Sequence, residues 1–308
     1  MSKMKWFFGL YPGDKVKING TYFYISDFFP DINILFNVFY ILKKNKLYNK
    51  IISQGFRNVF SIKDNLILVD SGSYIYYRYN LSIPSVDKII QRYRLINPEY
   101  VVHNDIPVGF LNDKANKNRF LQKNLSNAKI FSRKTKNENY QKIGVAQGTT
   151  KEEYLEQIKE LFHMDYEIIG IGGIARKSTI RIREYLDYIK SYVEKNKIKL
   201  HIFGVGRFDA IKNMPIYSFD NTSPVQDAHR DSNGLRTYYY HLNGKMEIIK
   251  LSLLDIEKGT IKVEDKCTCE MCKIFQEKIF QTGKAPRNRA RSYHNALMYQ
   301  KSVEYHLC

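Results

Sequence analysis

The sequence predicts an α/β fold, specifically a TIM (β/α)8 barrel, and three observations lead to this prediction. Apolar runs of five to eight residues alternate with longer amphipathic stretches, which indicates parallel strands joined by helices. Polar residues or glycines stand at the ends of several runs, as they do at the carboxyl ends of barrel strands. The alternative, a doubly wound sheet, is less well supported because no Gly-x-Gly-x-x-Gly follows the first run and no Walker sequence is present.

Seven apolar runs are predicted to be strands, so a barrel requires one more strand that the pattern does not reveal. The runs are Trp6–Tyr11, Leu66–Asp70, Tyr100–Asp105, Ile143–Gln147, Ile168–Gly172, Leu200–Val205 and Ile216–Asp220. Apolar residues at helical spacing predict helices over Pro84–Ile96, Thr150–Phe162 and Ile180–Val193. The second of these begins with Thr-Lys-Glu-Glu, which is typical of a helix cap and first turn.

Two further segments have the pattern of hairpins. Lys15–Ser26 is centred on Asn19-Gly20, and we expect an accessory hairpin there. Thr237–Leu242 and Met246–Leu251 are joined through Asn243-Gly244, which is a strong hairpin signal.

The composition is that of a soluble globular protein. The chain has 308 residues, enough for two domains or one large barrel, with 44% hydrophobic and 26% charged residues. No window of about 18 uncharged apolar residues and no signal-peptide pattern is present, so we expect a cytoplasmic protein, in the host cytoplasm if viral. The net charge of +18 fits either a low-GC composition or a polyanionic partner, and its total does not decide between them.

Three of the four cysteines lie within six residues, as Cys267-Thr-Cys269-Glu-Met-Cys272. A secreted disulfide framework would spread its cysteines along the chain, whereas thiolates at this spacing can converge on a tetrahedral zinc ion. His294 is the leading fourth ligand, with His306 and Cys308 as rivals, and free thiols without metal are the alternative.

This cluster completes the predicted organisation of the chain. Residues 1–250 form the barrel with its accessory hairpin. Residues 251–308 form a small C-terminal zinc-binding subdomain packed on the barrel, in which the metal has a structural role.

Aspartates end three of the predicted strands, at Asp70, Asp105 and Asp220. Each aspartate alone fits a helix N-cap, but three at one barrel mouth favour a site. Converging carboxylates suit reactions at an anomeric carbon, where one attacks C1′ and another transfers protons or holds the base. Gln147 can read a nucleobase edge, and Gly172–Gly173 would let a flat ring approach the backbone.

The order of these motifs resembles that of the tRNA-guanine transglycosylase family. The resemblance extends from about Trp6 to His306, and the spacing of the cysteines and His294 is similar to that of the family's zinc site. The motifs are Asp70-Ser-Gly-Ser, Asp105-Ile-Pro, Gly144-Val-Ala-Gln147-Gly148, Gly172-Gly173-Ile174, Phe203-Gly204-Val205-Gly206, Phe219-Asp220 and Cys267-x-Cys269-x-x-Cys272 … His294-Asn295.

The resemblance implies base exchange without ATP, through a covalent aspartyl-nucleotide intermediate. By this resemblance Asp220 is the nucleophile and Asp70 the general acid/base. The residues implied to bind the 7-deazaguanine base are Ser71, Gly72, Asp105, Gln147, Gly172 and Gly173. The implied ligands of a structural zinc ion are Cys267, Cys269, Cys272 and His294.

Two features are similar to the DNA-modifying branch of the family, found in phages and bacterial genomic islands. The chain ends soon after His294 without room for an accessory RNA-binding domain, and Phe7-Phe-Gly-Leu-Tyr11 is similar to that branch. We therefore expect guanine in DNA to be replaced by preQ0 or a derivative. The alternatives are a tRNA-guanine transglycosylase that inserts preQ0, queuine or preQ1, and a non-catalytic nucleic-acid-binding subunit. A homodimer or a helper protein is compatible with each.

The positive charge is concentrated in the sequence, which favours a nucleic-acid partner over composition alone. Residues 114–142 contain nine Lys or Arg and one acid, Glu138, and follow the Asp105 motif, so we expect them near the mouth or on an adjoining helix. The candidate nucleic-acid contacts are Lys134, Lys136, Arg287, Arg289 and Arg291.

Overall fold

Short runs rich in Ile, Val, Leu and aromatic residues form the strands, because such side chains fill both faces of a buried parallel sheet. The computed structural model describes residues 4–109, 114–229, 236–241, 248–260, 267–281 and 285–307. The strands are β1 Lys5–Leu10, β2 Val16–Ile18, β3 Thr21–Phe23, β4 Asn33–Asn37, β5 Ile67–Asp70, β6 Tyr100–Val102, β7 Gln141–Ala146, β8 Ile168–Ile171, β9 Lys199–Ile202, β10 Ile216–Asn221, β11 Thr237–His241 and β12 Ile248–Ser252.

The helices are mostly amphipathic and lie between the strands. They are α1 Ile25–Phe28, α2 Phe39–Lys43, α3 Asn45–Gln54, α4 Phe56–Val59, α5 Ser73–Arg78, α6 Val86–Ile96, α7 Lys114–Lys134, α8 Lys151–His163, α9 Thr179–Lys195, α10 Phe208–Ile211, α11 Ser223–His229, α12 Leu253–Glu257, α13 Glu270–Phe275 and α14 Ala285–Leu307, with a 3₁₀ helix at Gln276–Phe280. Among the described residues, no helix is long and apolar enough to cross a bilayer.

Eight of the strands close into a parallel barrel. Their order is β1-β10-β9-β8-β7-β6-β5-β4, and β1 pairs with both β4 and β10. The predicted TIM barrel is therefore confirmed. The strand that the sequence pattern did not reveal is β4, which is short and runs almost directly into α2, so that strand and helix read as one apolar stretch.

Side chains alternate between the inside of the barrel and the helix layer along each strand. In β5, Leu68 packs in the inner cluster, whereas Ile67 and Val69 pack in the outer cluster with the helices. In β7, Ile143 and Val145 also point inward. Because successive inward positions are two residues apart, this parity aims Asp70 and Gln147 into the barrel opening at the carboxyl ends of the strands, here called the mouth.

The last long helix, α14, lies along the outside of the barrel beside β1. In the first half of the helix, the hydroxyl of Tyr293 donates to the backbone oxygen of Asp14, which follows the carboxyl end of β1. One and a half turns later, the ring of Tyr299 packs on Trp6 near the amino end of β1, with 4.9 Å between centroids. The helix therefore runs from the mouth toward the opposite face.

Both predicted hairpins are present as antiparallel pairs. β2 pairs with β3 around Asn19-Gly20, and β11 pairs with β12, while the predicted turn at Asn243-Gly244 lies outside the described residues. The second hairpin packs on α14, since the amide of Tyr239 donates to Asn295 at 2.9 Å. A division of the chain at residue 250 would cut β12, so the hairpin belongs structurally with the segment that follows it.

Candidate functional site

The predicted acids meet at the mouth. A cavity of about 470 Å³ is lined there by predicted residues from five strands and the loops that follow them. These are Asp70, Asp105, Gln147, Gly172, Gly173 and Asp220. Ser71 and Gly72 lie beside the cavity and are not among its lining residues; Ser71 is fully buried, with its hydroxyl 2.9 Å from that of Ser73.

Asp70 ends β5 and is held by its neighbour in the sheet. The register pairs it with Asn37 of β4, whose side-chain amide donates to Oδ2 of Asp70 at 2.7 Å. Burial, together with the nearby charges of Asp105 and Asp220, raises the pKa of Asp70 to about 7, against the lowering effect of backbone amides. A carboxyl group with a pKa near neutrality can both donate and accept a proton.

The backbone after Asp70 turns sharply at Gly72. This residue has φ +83°, and an added Cβ would lie 2.6 Å from Oδ1 of Asn37. The same Oδ1 accepts a hydrogen bond from the amide of Phe39 at 3.0 Å. Glycine is therefore required at this position, because a side chain would displace the amide that holds Asp70.

Asp105 and Gln147 form a second polar pair in the cavity. The Gln147 amide donates to Oδ2 of Asp105 at 2.6 Å, and its Oε1 lies 3.4 Å from the amide of Val108. Burial raises the pKa of Asp105, the hydrogen bond from Gln147 opposes this effect, and the resulting pKa is about 6. One oxygen of the carboxyl group is thereby fixed, and Asp105 lines the cavity.

Asp220 is the last residue but one of β10 and is buried, with its Oδ1 held from two directions. The backbone amide of Gly204 donates to this oxygen at 3.1 Å, and Nε2 of His201 lies 3.2 Å from it. Nδ1 of His201 lies 2.8 Å from the hydroxyl of Ser218, so the hydroxyl can donate to Nδ1 while Nε2–H donates to the carboxylate. This arrangement orients one carboxylate oxygen and leaves the other for chemistry in the cavity.

Gly172 and Gly173 form a flat wall of the cavity. An added Cβ on Gly172 would lie 2.4 Å from the side-chain nitrogen of Gln147, and Gly173 has φ +74°. The hydroxyl of Tyr154 donates to the backbone oxygen of Gly172 at 2.7 Å and fixes this segment. A planar ligand can therefore lie against the backbone here.

Sequence reasoning missed several residues of this site. Asn37 and His201 position the aspartates, and Arg78 and Arg176 line the cavity. His201 had a signal, since it is polar within the apolar run Leu200–Val205. Asn37 had none, because its strand was not recognised.

The cysteine cluster converges with His294, as predicted. One ligand atom from each of Cys267, Cys269, Cys272 and His294 lies within 4.8 Å of the others. The two cysteines Cys269 and Cys272 each place Sγ 3.4 Å from Nδ1 of His294. A tetrahedral zinc ion with ordinary bond lengths separates sulfur and nitrogen ligands by about 3.5 Å, so these residues fit such an ion.

Two contacts with the β11 strand orient the histidine of the cluster. Nε2 of His294 lies 2.8 Å from the backbone oxygen of Tyr239, which leaves Nδ1 to face the thiols. The ring of Tyr238 stacks on the imidazole at 4.1 Å. Of the rival ligands, His306 lies three turns further along α14 and is not in the cluster, and Cys308 lies outside the described residues.

The structure corrects three of the expected nucleic-acid contacts. Arg291 is fully buried, and its guanidinium donates to the backbone oxygens of Ala228 and Ile279. Lys134 is the last residue of α7, which runs away from the mouth toward the start of β7, and Lys136 follows the helix. Lys134 is paired with Asp87 at 2.6 Å. These residues are therefore not part of a rim around the cavity.

The remaining two expected contacts, Arg287 and Arg289, lie in the first turn of α14, at the mouth end of that helix. Both are partly exposed. The guanidinium of Arg289 donates to the backbone oxygen of Lys15 beside the accessory hairpin, at 3.3 Å. Their position at the mouth end of α14 is compatible with the predicted contacts to a nucleic acid.

The fold and the site together define a class: a parallel eight-stranded barrel with converging carboxylates at its mouth and a separate Cys3His cluster able to hold a metal ion. The family model described as queuine tRNA-ribosyltransferase (TGT) matches residues 31–305, and the chain belongs to this family. The predicted family is therefore confirmed.

Curated relatives include proteins named for two different polymers. A DNA-guanine transglycosylase of Salmonella montevideo is 26% identical over 190 residues, which are 58% of this chain and 45% of that protein. Queuine tRNA-ribosyltransferases of Rickettsia massiliae (strain Mtu5) and Rickettsia rickettsii (strain Sheila Smith) are 26% and 27% identical over 171 residues, 54% of this chain and 45% of each relative. The alignments thus span about half the length of these curated relatives.

Proposed function

We propose that this protein is a base-exchange transglycosylase that replaces guanine in DNA by a 7-deazaguanine base, preQ0 or a derivative. The observation that carries the proposal is the division of the cavity into three differently held carboxyl groups. One is oriented by His201 and a backbone amide, one has a pKa near neutrality, and one is paired with an amide. These are the roles that exchange at an anomeric carbon requires.

In the proposed reaction, the unfixed oxygen of Asp220 attacks C1′ of the target nucleotide as the C1′–N9 bond breaks. The departing guanine takes a proton at N9 from Asp70, whose pKa of about 7 leaves it partly protonated at neutral pH. An aspartyl-nucleotide ester remains. The incoming base gives its N9 proton to Asp70 and attacks C1′, which restores the carboxylate of Asp220.

The remaining polar residues hold the base. Asp105 accepts hydrogen bonds from the N–H groups of the base, and Gln147 both fixes Asp105 and offers its own amide. The wall at Gly172–Gly173 receives the flat ring. The target guanine must leave the base stack to reach this cavity, as for other enzymes that act on bases.

We further propose that the Cys3His cluster holds a structural zinc ion through Cys267, Cys269, Cys272 and His294. The fitting distances support this assignment, as does the absence of a reserved open position among four protein ligands. The ion would supply folding energy by joining the 267–272 segment to α14, and no step of the reaction passes through it.

The DNA assignment is supported by the name of the Salmonella relative, and the Rickettsia relatives support tRNA as the second candidate substrate. The test is to incubate the protein with radiolabelled guanine, and separately with labelled preQ0, in the presence of duplex DNA or total tRNA. Label entering DNA is the expected result. Label entering tRNA alone would reject the DNA substrate and support the second candidate.

The nucleophile is tested in the same assay. The Asp220→Ala variant should lose all incorporation, while Asp209→Ala, an exposed aspartate outside the cavity, should retain it. Full exchange by Asp220→Ala would reject the proposed covalent mechanism. A wild-type protein that binds nucleic acid but incorporates neither base would instead indicate a non-catalytic subunit.

A further inference from the structure

A groove next to the mouth is lined by lysines. It lies between the loop that follows β1 and the start of α3, has a volume of about 520 Å³, and contains no acid among its lining residues. We call it the lysine groove. Its lining residues are Pro12, Lys15, Tyr24, Lys44, Asn45, Lys46, Leu47, Lys50 and Val59.

The cations of this groove are available to an anionic ligand. Within the part of the chain that the structure describes, no ion pair includes Lys15, Lys44, Lys46 or Lys50. The last three of these side chains are exposed. The groove also receives the start of α3, where Lys44 as N-cap supplies no side-chain hydrogen bond, so the positive end of the helix adds to the potential.

Two acids, Asp14 and Asp27, lie close enough to Tyr24 of the groove to act on its hydroxyl. Asp14 is buried, and burial raises its pKa to about 6. The carboxylate of Asp27 accepts a hydrogen bond from the amide of Tyr24 at 2.6 Å and caps α1. Among the described residues, neither acid forms an ion pair with a lysine of the groove.

Exposed tyrosines stand beside these cations. The amine of Lys15 lies 4.1 Å from the ring centroid of Tyr22, and that of Lys44 lies 5.5 Å from that of Tyr11. Tyr22 is 51% exposed and Tyr11 is 44% exposed. Lysines interleaved with exposed aromatic rings are typical of surfaces that bind nucleic-acid strands, because the cations contact phosphates and the rings stack on bases.

The groove and the catalytic cavity lie on the same face of the barrel but share no lining residue. Tyr11 packs on Tyr40, with 4.5 Å between ring centroids, and the adjacent Phe39 packs on Tyr76 at 5.0 Å. Tyr76 belongs to α5, the helix that begins three residues after Asp70. A row of aromatic rings therefore separates the groove from the cavity on the same face of the barrel.

We propose that the lysine groove binds the phosphate backbone of the DNA strand flanking the guanine to be exchanged. The inference rests on the proposed function, since it takes DNA as the substrate. It adds the position of the bound strand on the surface of the protein. The phosphates contact Lys15, Lys44, Lys46 and Lys50 while the target nucleotide enters the cavity.

The test compares two triple variants with the same change of net charge. K44A/K46A/K50A removes lysines of the groove, and K136A/K195A/K197A removes exposed lysines at the opposite face of the barrel. Binding of a fluorescent duplex is measured against salt concentration. Each lost phosphate contact lowers the slope of log K against log[salt] by about 0.9, so the groove variant should lose a slope of about 2 to 3 and the control almost none.

A groove variant that keeps the wild-type salt slope, or a control that changes equally, would overturn the inference. A slope change seen with tRNA but not with duplex DNA would also overturn it as stated. Because the binding assay involves no chemistry, these outcomes are separate from the proposed function, which fails only if guanine exchange into DNA is absent. Melting temperatures of both variants equal to that of the wild type exclude misfolding as the cause.

Discussion

Replacement of Asp70 by Asn should stabilise the protein above neutral pH. The folded state raises the pKa of this carboxyl group from 3.8 to about 7, so ionising Asp70 opposes folding. Below about pH 4 both the folded and the unfolded states hold the proton, so Asp70 does not lower the free energy of unfolding. As the pH rises from 4 to 7, the unfolded chain releases the proton first and the wild type loses stability.

The size of the effect follows from the same pKa values. Their difference corresponds to a ceiling of about 4 kcal/mol. Because Asp70 borders the open cavity, solvent reduces this, and we expect a gain of about 1–2 kcal/mol for Asp70→Asn at pH 8.5. The new amide keeps an oxygen to accept the hydrogen bond from Asn37, so the local geometry is retained.

The assay is urea unfolding of the wild type and Asp70→Asn at pH 4.5 and pH 8.5, with the exposed Asp209→Asn as control. The stabilisation should be small at pH 4.5 and near its full value at pH 8.5, while the control shows no such pH dependence. A variant that is equally stable or less stable than the wild type at pH 8.5 would refute the argument that burial and the neighbouring carboxylates disfavour the ionised form of Asp70.

Three further predictions concern the neighbours of the aspartates and the cluster. His201→Ala removes one of two donors to Asp220, and should lower kcat about tenfold to a hundredfold with little change in KM; an unchanged kcat would contradict a positioning role. Gly172→Ala places a methyl group against Gln147, and should raise KM for the incoming base while urea unfolding shows an intact fold; unchanged KM would argue against a base-binding wall. Removal of metal by a chelator, or Cys272→Ser, should release about one zinc per chain and lower the melting temperature, whereas Cys308→Ser should leave zinc bound; zinc-free folded protein at the outset would reject the site.

The sequence predicted most of the barrel because buried parallel strands are short continuous apolar runs. It failed at β4, where Asn33–Asn37 leads into α2 with a single residue between them. A run that is part strand and part helix has neither period clearly. The consequence reached the site, because Asn37, which holds Asp70, lies at the end of that strand.

The alternation of side chains along each strand predicts which site residues point into the barrel. Leu68 and Asp70 are two residues apart, as are Val145 and Gln147, and each pair shares an inward face. Phe203 and His201 are also two residues apart, so the imidazole lies inside the barrel, next to Asp220. The sequence could not predict which side chain of a neighbouring strand would hold each aspartate, because that depends on the order and the register of the strands.

The distribution of charge shows a different limit. Counting charges along the chain selected Lys134 and Lys136, because residues 114–142 are the most basic segment. Yet in a barrel each helix returns from the carboxyl ends of the strands to the amino ends, so about 20 helical residues carry the chain some 30 Å away from the mouth. Only the first turns of such a helix and the loops before it can contact a substrate at the cavity. By that reasoning the basic residues that matter follow strand ends closely, as Lys15 follows β1 and Lys44 follows β4. Residues 43–50 contain four lysines and no acid, a shorter basic segment than residues 114–142 but one that lies near the mouth.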